Sequence, residues 1–305
     1  MDIIILGAVS QGLLWALMAL GLYISYKVLN MADLTTEGSF ALGGAVAARL
    51  IVNGWNPVAA VLMAMLSGVL AGFFTAFLHT KLKIPALLAG ILTMTGLYSI
   101  NLRIMGMANL NIPPELNIAF RLREFFSTSL GLEMYARSLA FLVIGIFVVI
   151  VIMVVLWLFF KTELGYALRA TGDNAKMICA LGVNTNKMKF IGLGIANGII
   201  CLSSALVAQF NTVATVDMGI GTIVIGLASI IMGQTLFGSK TILRSLLAVV
   251  LGSVLYRLII AMALQMGLPT QELRLLSSVL LIAVLSLPVV RKELSKIFRK
   301  GERHA

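Results

Sequence analysis

The 305-residue chain is 60% hydrophobic and only 11% charged. A soluble domain is about half apolar and about a quarter charged, so this composition excludes an ordinary soluble protein and indicates a membrane protein. The net charge of +11 does not indicate nucleic-acid binding. The basic residues are scattered between hydrophobic segments, where membrane topology explains them. The two cysteines, Cys179 and Cys201, lack the spacing of a metal site.

The hydrophobic segments predict an all-α integral membrane protein with about nine transmembrane helices. They form one transmembrane domain over residues 1–290, followed by a basic cytoplasmic tail over residues 291–305. Most hold about 18–25 residues, which suits a hydrocarbon core of ~30 Å. The predicted spans cover roughly residues 3–26, 35–52, 57–79, 85–104, 138–160, 190–210, 219–237, 242–266 and 275–290.

Lysine and arginine residues predict the orientation of these spans. With the tail in the cytoplasm, most of them fall on the inner side, many within residues 161–189. The outer loop, residues 105–137, also carries acids. The positive-inside rule therefore favours an outer N-terminus and a cytoplasmic C-terminus, as in a bacterial inner (plasma) membrane. Within the outer loop, residues 118–130 predict an amphipathic helix, which either lies on the membrane surface or contacts another protein.

Residues 161–189 form the longest polar interruption on the predicted cytoplasmic side. Asp173 or Asn174 is expected to cap a short helix that a glycine ends at residue 182. Met177 and Leu181 lie one turn apart on one face of this helix, with an isoleucine beside them. The apolar face either packs on its own bundle or docks another protein.

The sequence GYALRATGDNAKMICALGVN in this loop resembles the coupling loop of permease subunits in ATP-binding-cassette importers. The group includes branched-chain amino acid and ribose permeases, in which the short helix sits in a cleft of the ATPase. The resemblance covers nearly the whole chain. It implies two permease copies as a homodimer, two cytoplasmic ATPase subunits holding ATP and Mg, and an extracytoplasmic substrate-binding protein. The residues predicted to couple to the ATPase are Gly165, Arg169, Ala170, Gly172, Asp173, Asn174, Ala175, Met177, Ile178, Leu181 and Gly182.

A second informative stretch, NMADLTTEGSFALGG, covers residues 30–44. Asp33 or Thr35 is able to cap the second helix, and Glu37 in its first turn suits the helix dipole. The alternative is a broken or re-entrant segment lining the transport path, because intramembrane acids are functional candidates. DLTTEGSFALGG resembles a branch of the family associated with aromatic amino acids, tryptophan or tyrosine.

The fourth span mixes polar and apolar residues. Met94, Tyr98 and Asn101 fall at i, i+4 and i+7, a stripe that suits a path for a zwitterion with an apolar side chain. The alternative is that its threonines and serines join neighbouring helices. Its ending, NLRIMG, resembles the same permease branch. The residues predicted to line the path are Asn30, Asp33, Thr35, Glu37, Ser39, Thr93, Met94, Tyr98, Asn101 and Asn211.

The second half of the chain echoes the first at residues 211–217, which precede a glycine-rich span. Paired glycine-interrupted segments favour an inverted repeat around a central path, although small residues also simply permit close helix packing.

These observations predict a permease subunit of an ATP-driven importer, not an enzyme, carrying an amino acid of aromatic type. The chain contains no G-x-x-x-x-G-K-[ST] motif, so ATP hydrolysis is assigned to a partner chain. No metal or cofactor is expected in this chain. One alternative is a secondary transporter or channel driven by an ion gradient, with ion or proton sites among Asp33, Glu37 and Asp217. Another is a scaffold or sensor that binds an ATPase but transports nothing.

Overall fold

The computed structural model describes residues 2–128, 134–267, 272, 275–279, 281–283 and 286. These ranges are almost entirely helical. The α-helices are α1 (Asp2–Leu22), α2 (Thr35–Val52), α3 (Pro57–Thr80), α4 (Ala86–Met105), α5 (Phe120–Thr128), α6 (Ala136–Phe159), α7 (Glu163–Ala180), α8 (Thr185–Asn211), α9 (Thr222–Phe237) and α10 (Ile242–Gln265). A π-helix (Tyr23–Val28), two 3₁₀ turns (Pro114–Leu116 and Val216–Gly219) and two short strands, β1 (Asn109–Asn111) and β2 (Val213–Thr215), complete the described elements.

Seven helices in the described ranges are long and apolar enough to cross a membrane: α1 with its π-helical extension, α3, α4, α6, α8, α9 and α10. The protein is therefore a multi-pass, all-α membrane protein. The predicted second span coincides with α2, which is not among the seven. The predicted ninth span, residues 275–290, lies partly outside the described residues. A total of nine spans therefore stays a prediction.

Helix α8 is the centre of the bundle. Its most apolar stretch is 83% buried, and it packs against α1, α2 and α3. Two glycines of α3 permit this closeness: a β-carbon on Gly72 would overlap the carbonyl group of Leu193, and one on Gly68 would overlap that of Asn197. Lipid chains are as apolar as the helices, so close packing of this kind replaces the hydrophobic effect in holding membrane helices together.

One end of the bundle carries a small sheet that the sequence analysis did not predict. Strands β1 and β2 pair antiparallel, with Leu110 opposite Ala214. Beside them, at the end of α8, the side-chain oxygen of Gln209 accepts the backbone N–H of Ile118 at 2.9 Å. The backbone carbonyl oxygen of Gln209 accepts from the side-chain amide of Asn117 at 2.6 Å. The described part of α5 begins at Phe120 and not at the predicted residue 118, and just before it Asn117 Oδ1 accepts the N–H of Ala119 at 3.2 Å.

The opposite end of the bundle groups two basic loops. Lys189 Nζ lies 2.9 Å from His79 Nε2, and His79 Nδ1 lies 2.9 Å from the carbonyl oxygen of Ile84. The turn after α3 is thereby held against the start of α8, which directly follows the loop at residues 161–184. The positive-inside rule predicts that these two loops lie on one side of the membrane, the cytoplasmic side. The structure brings them to one end of the bundle.

Candidate functional site: a cleft beside α2 and an exposed loop helix

The chain between the π-helix and α2 is not helical, and the bundle encloses only part of it: Asp33 is buried, whereas Asn30 and Ala32 are exposed. Asn30 takes a left-handed conformation with φ 52°, and the backbone of Leu34 packs against Gly90 of α4. Irregular backbone at membrane depth is tolerated only where protein or a water-filled cavity surrounds it. Here α4 and α8 enclose the buried part of the break.

Asp33 satisfies the polar groups at this break. Its Oδ1 accepts the N–H of Thr35, the first residue of α2, at 3.0 Å, and its Oδ2 accepts from Asn197 Nδ2 at 2.9 Å. Asp33 is only 5% exposed and Asn197 is fully buried. A buried carboxylate needs such partners because losing water is costly. Asp33 therefore starts α2 and joins it to α8, and it does not open into the cleft described below.

A chain of threonine hydroxyl groups continues this buried network. Thr35 Oγ1 lies 2.7 Å from Thr75 Oγ1, which donates to Thr93 Oγ1 at 3.0 Å. All three residues are buried, and together they join α2, α3 and α4. Thr93 thus joins neighbouring helices, as in the alternative given for the fourth span, and Thr35 does so from α2.

Glu37 holds a second irregular stretch, between β2 and α9, which contains the 3₁₀ turn Val216–Gly219. This stretch runs along α2: Ala214 and Ala45 share one buried cluster, and Gly219 packs against the backbone of Glu37. Glu37 Oε1 accepts the N–H of Gly221 at 2.9 Å, next to the first residue of α9, Thr222. A helix N-terminus carries a partial positive charge that favours a carboxylate. Glu37 thus serves the dipole of α9 more directly than that of its own helix.

Between α2, α4 and this second stretch lies a cavity of about 320 Å³, which we call the α2–α4 cleft. Its volume is at the lower end of the ~300–1,000 Å³ range of small-molecule pockets. The cleft opens on the side of the bundle, where Tyr98 is 50% exposed. It is lined by Glu37, Gly38, Ala41, Met94, Thr95, Tyr98, Ser99, Asn101, Val216, Gly219 and Ile220.

Two groups give the cleft its electrostatic character. Glu37 is the one charged residue in its lining. Asn101 is fully buried; its Nδ2 donates to the carbonyl oxygen of Gly38 at 3.3 Å, while its Oδ1 has no partner among the described residues. A buried acceptor without a partner is costly, and Asn101 borders the cleft. The cleft therefore suits a cationic or N–H-bearing group next to apolar atoms.

The structure brings together four of the ten predicted path residues. Glu37, Met94, Tyr98 and Asn101 share the α2–α4 cleft, and the last three form the predicted stripe on α4. Four others, Asp33, Thr35, Ser39 and Thr93, are buried in the packing around α2. Asn30 is exposed at the break before α2, and Asn211 is exposed at the far end of α8, with its Oδ1 3.5 Å from Gln11 Nε2.

The loop at residues 161–189 contains a short helix with an exposed face. Helix α7 is interrupted at Asn174, which has φ −152° and ψ 90°. Asn174 Oδ1 accepts the N–H of Met177 at 3.1 Å and so begins a second helical segment. Met177 is 53% exposed and Leu181 is 71% exposed, whereas Ile178 is buried. The exposed ridge therefore consists of Met177 and Leu181, and Gly182, with φ 87°, ends it.

The residues before Asn174 form the first segment of α7. They are helical from Glu163 onward, because Thr162 caps the helix by accepting the N–H of Gly165 at 3.2 Å. Arg169 turns inward, with Nη2 3.4 Å from the carbonyl oxygen of Phe160. Gly165 and Gly172 face backbone of the bundle, while Ala170 is half-buried and Asp173 and Ala175 are exposed. The loop thus has a half that packs on the bundle and a half that faces away from it.

Two amide side chains of α8 were missed by the sequence analysis. Asn197 holds Asp33, and Gln209 holds the segment before α5. Both lie within the predicted sixth span and are fully buried. An amide in the middle of an apolar span is itself a signal of interhelical hydrogen bonding, and it was available from the sequence.

Comparisons with known proteins agree with this architecture. Residues 4–285 match the sequence model of the family described as "Branched-chain amino acid transport system / permease component". A tyrosine transport system permease protein of Clostridioides difficile (strain R20291) is 41% identical over 282 residues, covering 92% of this chain and 90% of that protein. No solved structure matches the chain significantly.

Two further relatives are more distant. An uncharacterized protein, RP368, of Rickettsia prowazekii (strain Madrid E) is 31% identical over 95% of this chain and 99% of its own length. An autoinducer 2 import system permease protein, LsrC, of Salmonella typhimurium is 24% identical over 76% of this chain and 63% of its own length. The protein is thus a multi-pass transport permease component. It belongs to the branched-chain amino acid transport system permease family.

The Asp33–Asn197 pair yields a prediction about stability. Replacing Asn197 by Ala leaves Asp33 Oδ2 without its donor, so the free energy of unfolding should fall by about 1–3 kcal/mol. The double variant with Asp33→Ala should lose less than the sum of the single variants, with a coupling of about 0.5–3 kcal/mol. Denaturant unfolding in detergent measures this cycle. Thr95→Ala is the matched control, because the Thr95 hydroxyl bonds only within its own helix. Strict additivity of the two single variants would contradict the arrangement.

Proposed function

We propose that the protein is the membrane-spanning permease subunit of an ATP-binding-cassette importer for an amino acid with an aromatic side chain. The α2–α4 cleft carries this proposal, because it combines one carboxylate with an apolar and aromatic lining. The 41% identity to a tyrosine transport system permease protein supports the same class of substrate.

The cleft offers complementary groups for the two parts of such a solute. A carboxylate has about four acceptor positions, so Glu37 is able to accept from an ammonium group while it holds Gly221. Met94, Tyr98 and Ile220 line the same cavity and offer contact area to an aromatic ring.

A second copy of the chain would complete the path. The cleft opens on the side of α4, whose most apolar stretch is only 28% buried, and several polar groups line it. Polar groups facing lipid are costly, so they face a partner or a water-filled cavity in a membrane. A homodimer that pairs these faces would place two clefts around one central path, open alternately to each side. An extracytoplasmic binding protein would deliver the solute.

The ridge of Met177 and Leu181 is proposed as the docking site of a cytoplasmic ATPase. Both side chains are largely exposed, on a helical segment whose Ile178 is buried. The chain lacks the phosphate-binding motif of an ATPase, so ATP and Mg would be bound by the partner. This proposal places the ridge and the two basic loops in the cytoplasm, in keeping with the positive-inside rule.

Uptake measurements test the proposed function. In proteoliposomes that contain the permease, its ATPase and its binding protein, labelled tyrosine should enter only with ATP. Glu37→Gln should lower this uptake at least about tenfold, because it removes a charge-assisted hydrogen bond of about 1.5–3 kcal/mol. Glutamine still offers an oxygen to Gly221, so α9 should stay in place. Glu115→Gln, in the exposed outer loop, is the matched control.

Three results would contradict this account. Uptake by the permease alone, without any ATPase, would favour a transporter or channel driven by an ion gradient. ATP hydrolysis by the assembled complex without uptake of any amino acid would favour a scaffold or sensor. Unchanged tyrosine uptake in Glu37→Gln would remove Glu37 from the path.

A charge on the ridge tests the docking proposal. Met177→Glu should weaken co-purification of the ATPase and abolish ATP-dependent uptake, because it places a carboxylate in an apolar contact. The matched control is Leu82→Glu, at another exposed apolar position at the same end of the bundle. Normal ATPase binding and uptake in Met177→Glu would rule out the ridge as the docking site.

A further inference from the structure

The first segment of α7, before Asn174, is in direct contact with the end of the first span. A β-carbon on Gly172 would overlap the carbonyl oxygen of Val28, so the two backbones touch. Val28 is the last residue of the π-helix, in which Leu29 N–H bonds to the carbonyl oxygen of Ile24 at 2.9 Å. Wide turns of this kind are rare in proteins, and those that occur often lie at functional sites. A displacement of α7 relative to the bundle therefore acts directly on the backbone of residue 28.

Leu29, the next residue, is held between α7 and α8. It is 4% exposed, and its side chain lies against Gly192 of α8, where Leu168 of α7 also packs. Leu29 is thus wedged between the loop helix and the central helix of the bundle. A displacement of α7 cannot leave Leu29 where it is unless this packing opens.

The following residues carry the displacement towards the cleft. Residues 28–33, which we call the 28–33 link, span at most about 20 Å when extended. At the far end of the link, Asp33 is bonded to Thr35 of α2 and to Asn197 of α8. Glu37 and Gly38 follow within the first turns of α2 and line the α2–α4 cleft. The link therefore joins the exposed loop to the cleft by a short and continuous chain of contacts.

We propose that the 28–33 link transmits motion of the 163–182 loop to α2, with Gly172, Leu29 and Asp33 as positioning residues. This inference rests on the proposed function and adds the route by which ATPase closure reaches the solute. The link has two fastened ends and a left-handed residue, Asn30, between them. A pull on Val28 is thereby converted into a shift of the first turn of α2, and so of the Glu37 carboxylate.

The ratio of solute taken up to ATP hydrolysed measures this transmission. In the complete complex, Leu29→Ala and Gly172→Ala should each lower this ratio about tenfold, within the ~5–150-fold range of couplings between sites. ATP hydrolysis and ATPase binding should persist, because the Met177–Leu181 ridge is untouched. Leu29→Met, which conserves volume, should restore the ratio. Gly96→Ala is the control, since a β-carbon there meets nothing within 4 Å.

The outcomes separate the two proposals. If the wild-type complex shows no ATP-dependent uptake, the proposed function fails. If the wild-type complex transports and both variants keep its ratio, the 28–33 link is not the route. Loss of ATPase binding in both variants would also overturn the inference, because it would assign these residues to docking. A ratio that stays low in Leu29→Met would overturn it as well.

Discussion

Backbone hydrogen bonding constrains this structure most strongly. In a bilayer every backbone N–H and C=O group needs a partner within the protein, and two stretches beside α2 depart from α-helical geometry. Two carboxylates resolve that conflict. Asp33 accepts the N–H that begins α2, and Glu37 accepts the N–H that precedes α9. Both acids lie within five residues of each other in the sequence, so the first turns of α2 organise both breaks.

This arrangement gives the two acids different functions. Asp33 is enclosed by α2 and α8 and acts on the packing of the bundle. Glu37 borders an open cleft, and its position depends on the N-terminus of α9. A movement that tilts α2 would change the distance between Glu37 and Gly221 and so the acceptor positions left for a solute. If the proposed function holds, the packing of the bundle and the binding of the solute thus depend on the same few residues.

Much of the helical architecture was predictable from the sequence because hydrophobic length is a strong signal in membrane proteins. The bounds of α2, α3 and α10 agree with the predicted spans to within one residue at each end. The cap at Asn174 was also predictable, since asparagine before a run of helix formers favours that position. The pairing of β1 with β2 was not, because it joins three-residue segments about a hundred positions apart and such short strands leave no periodic pattern.

The candidate site was predictable only in part. The stripe of Met94, Tyr98 and Asn101 follows from helical spacing alone, and the structure places it on the cleft. The partners of Asp33 and Glu37 come from α8 and α9, more than 150 residues away. Local sequence carries no information about such contacts. The choice between a cap and a path lining therefore had to come from the fold, which puts Asp33 inside the packing and Glu37 at the cleft.

The account as a whole requires that the exposed helix of the 161–189 loop faces the cytoplasm, and the two native cysteines measure this directly. Cys179 is exposed on that helix, whereas Cys201 is buried in α8. A membrane-impermeant maleimide should label the protein in inside-out vesicles and not in right-side-out vesicles, and Cys179→Ser should abolish the labelling. Labelling of Cys179 in right-side-out vesicles would place the helix outside, where no ATPase reaches it, and would contradict the account.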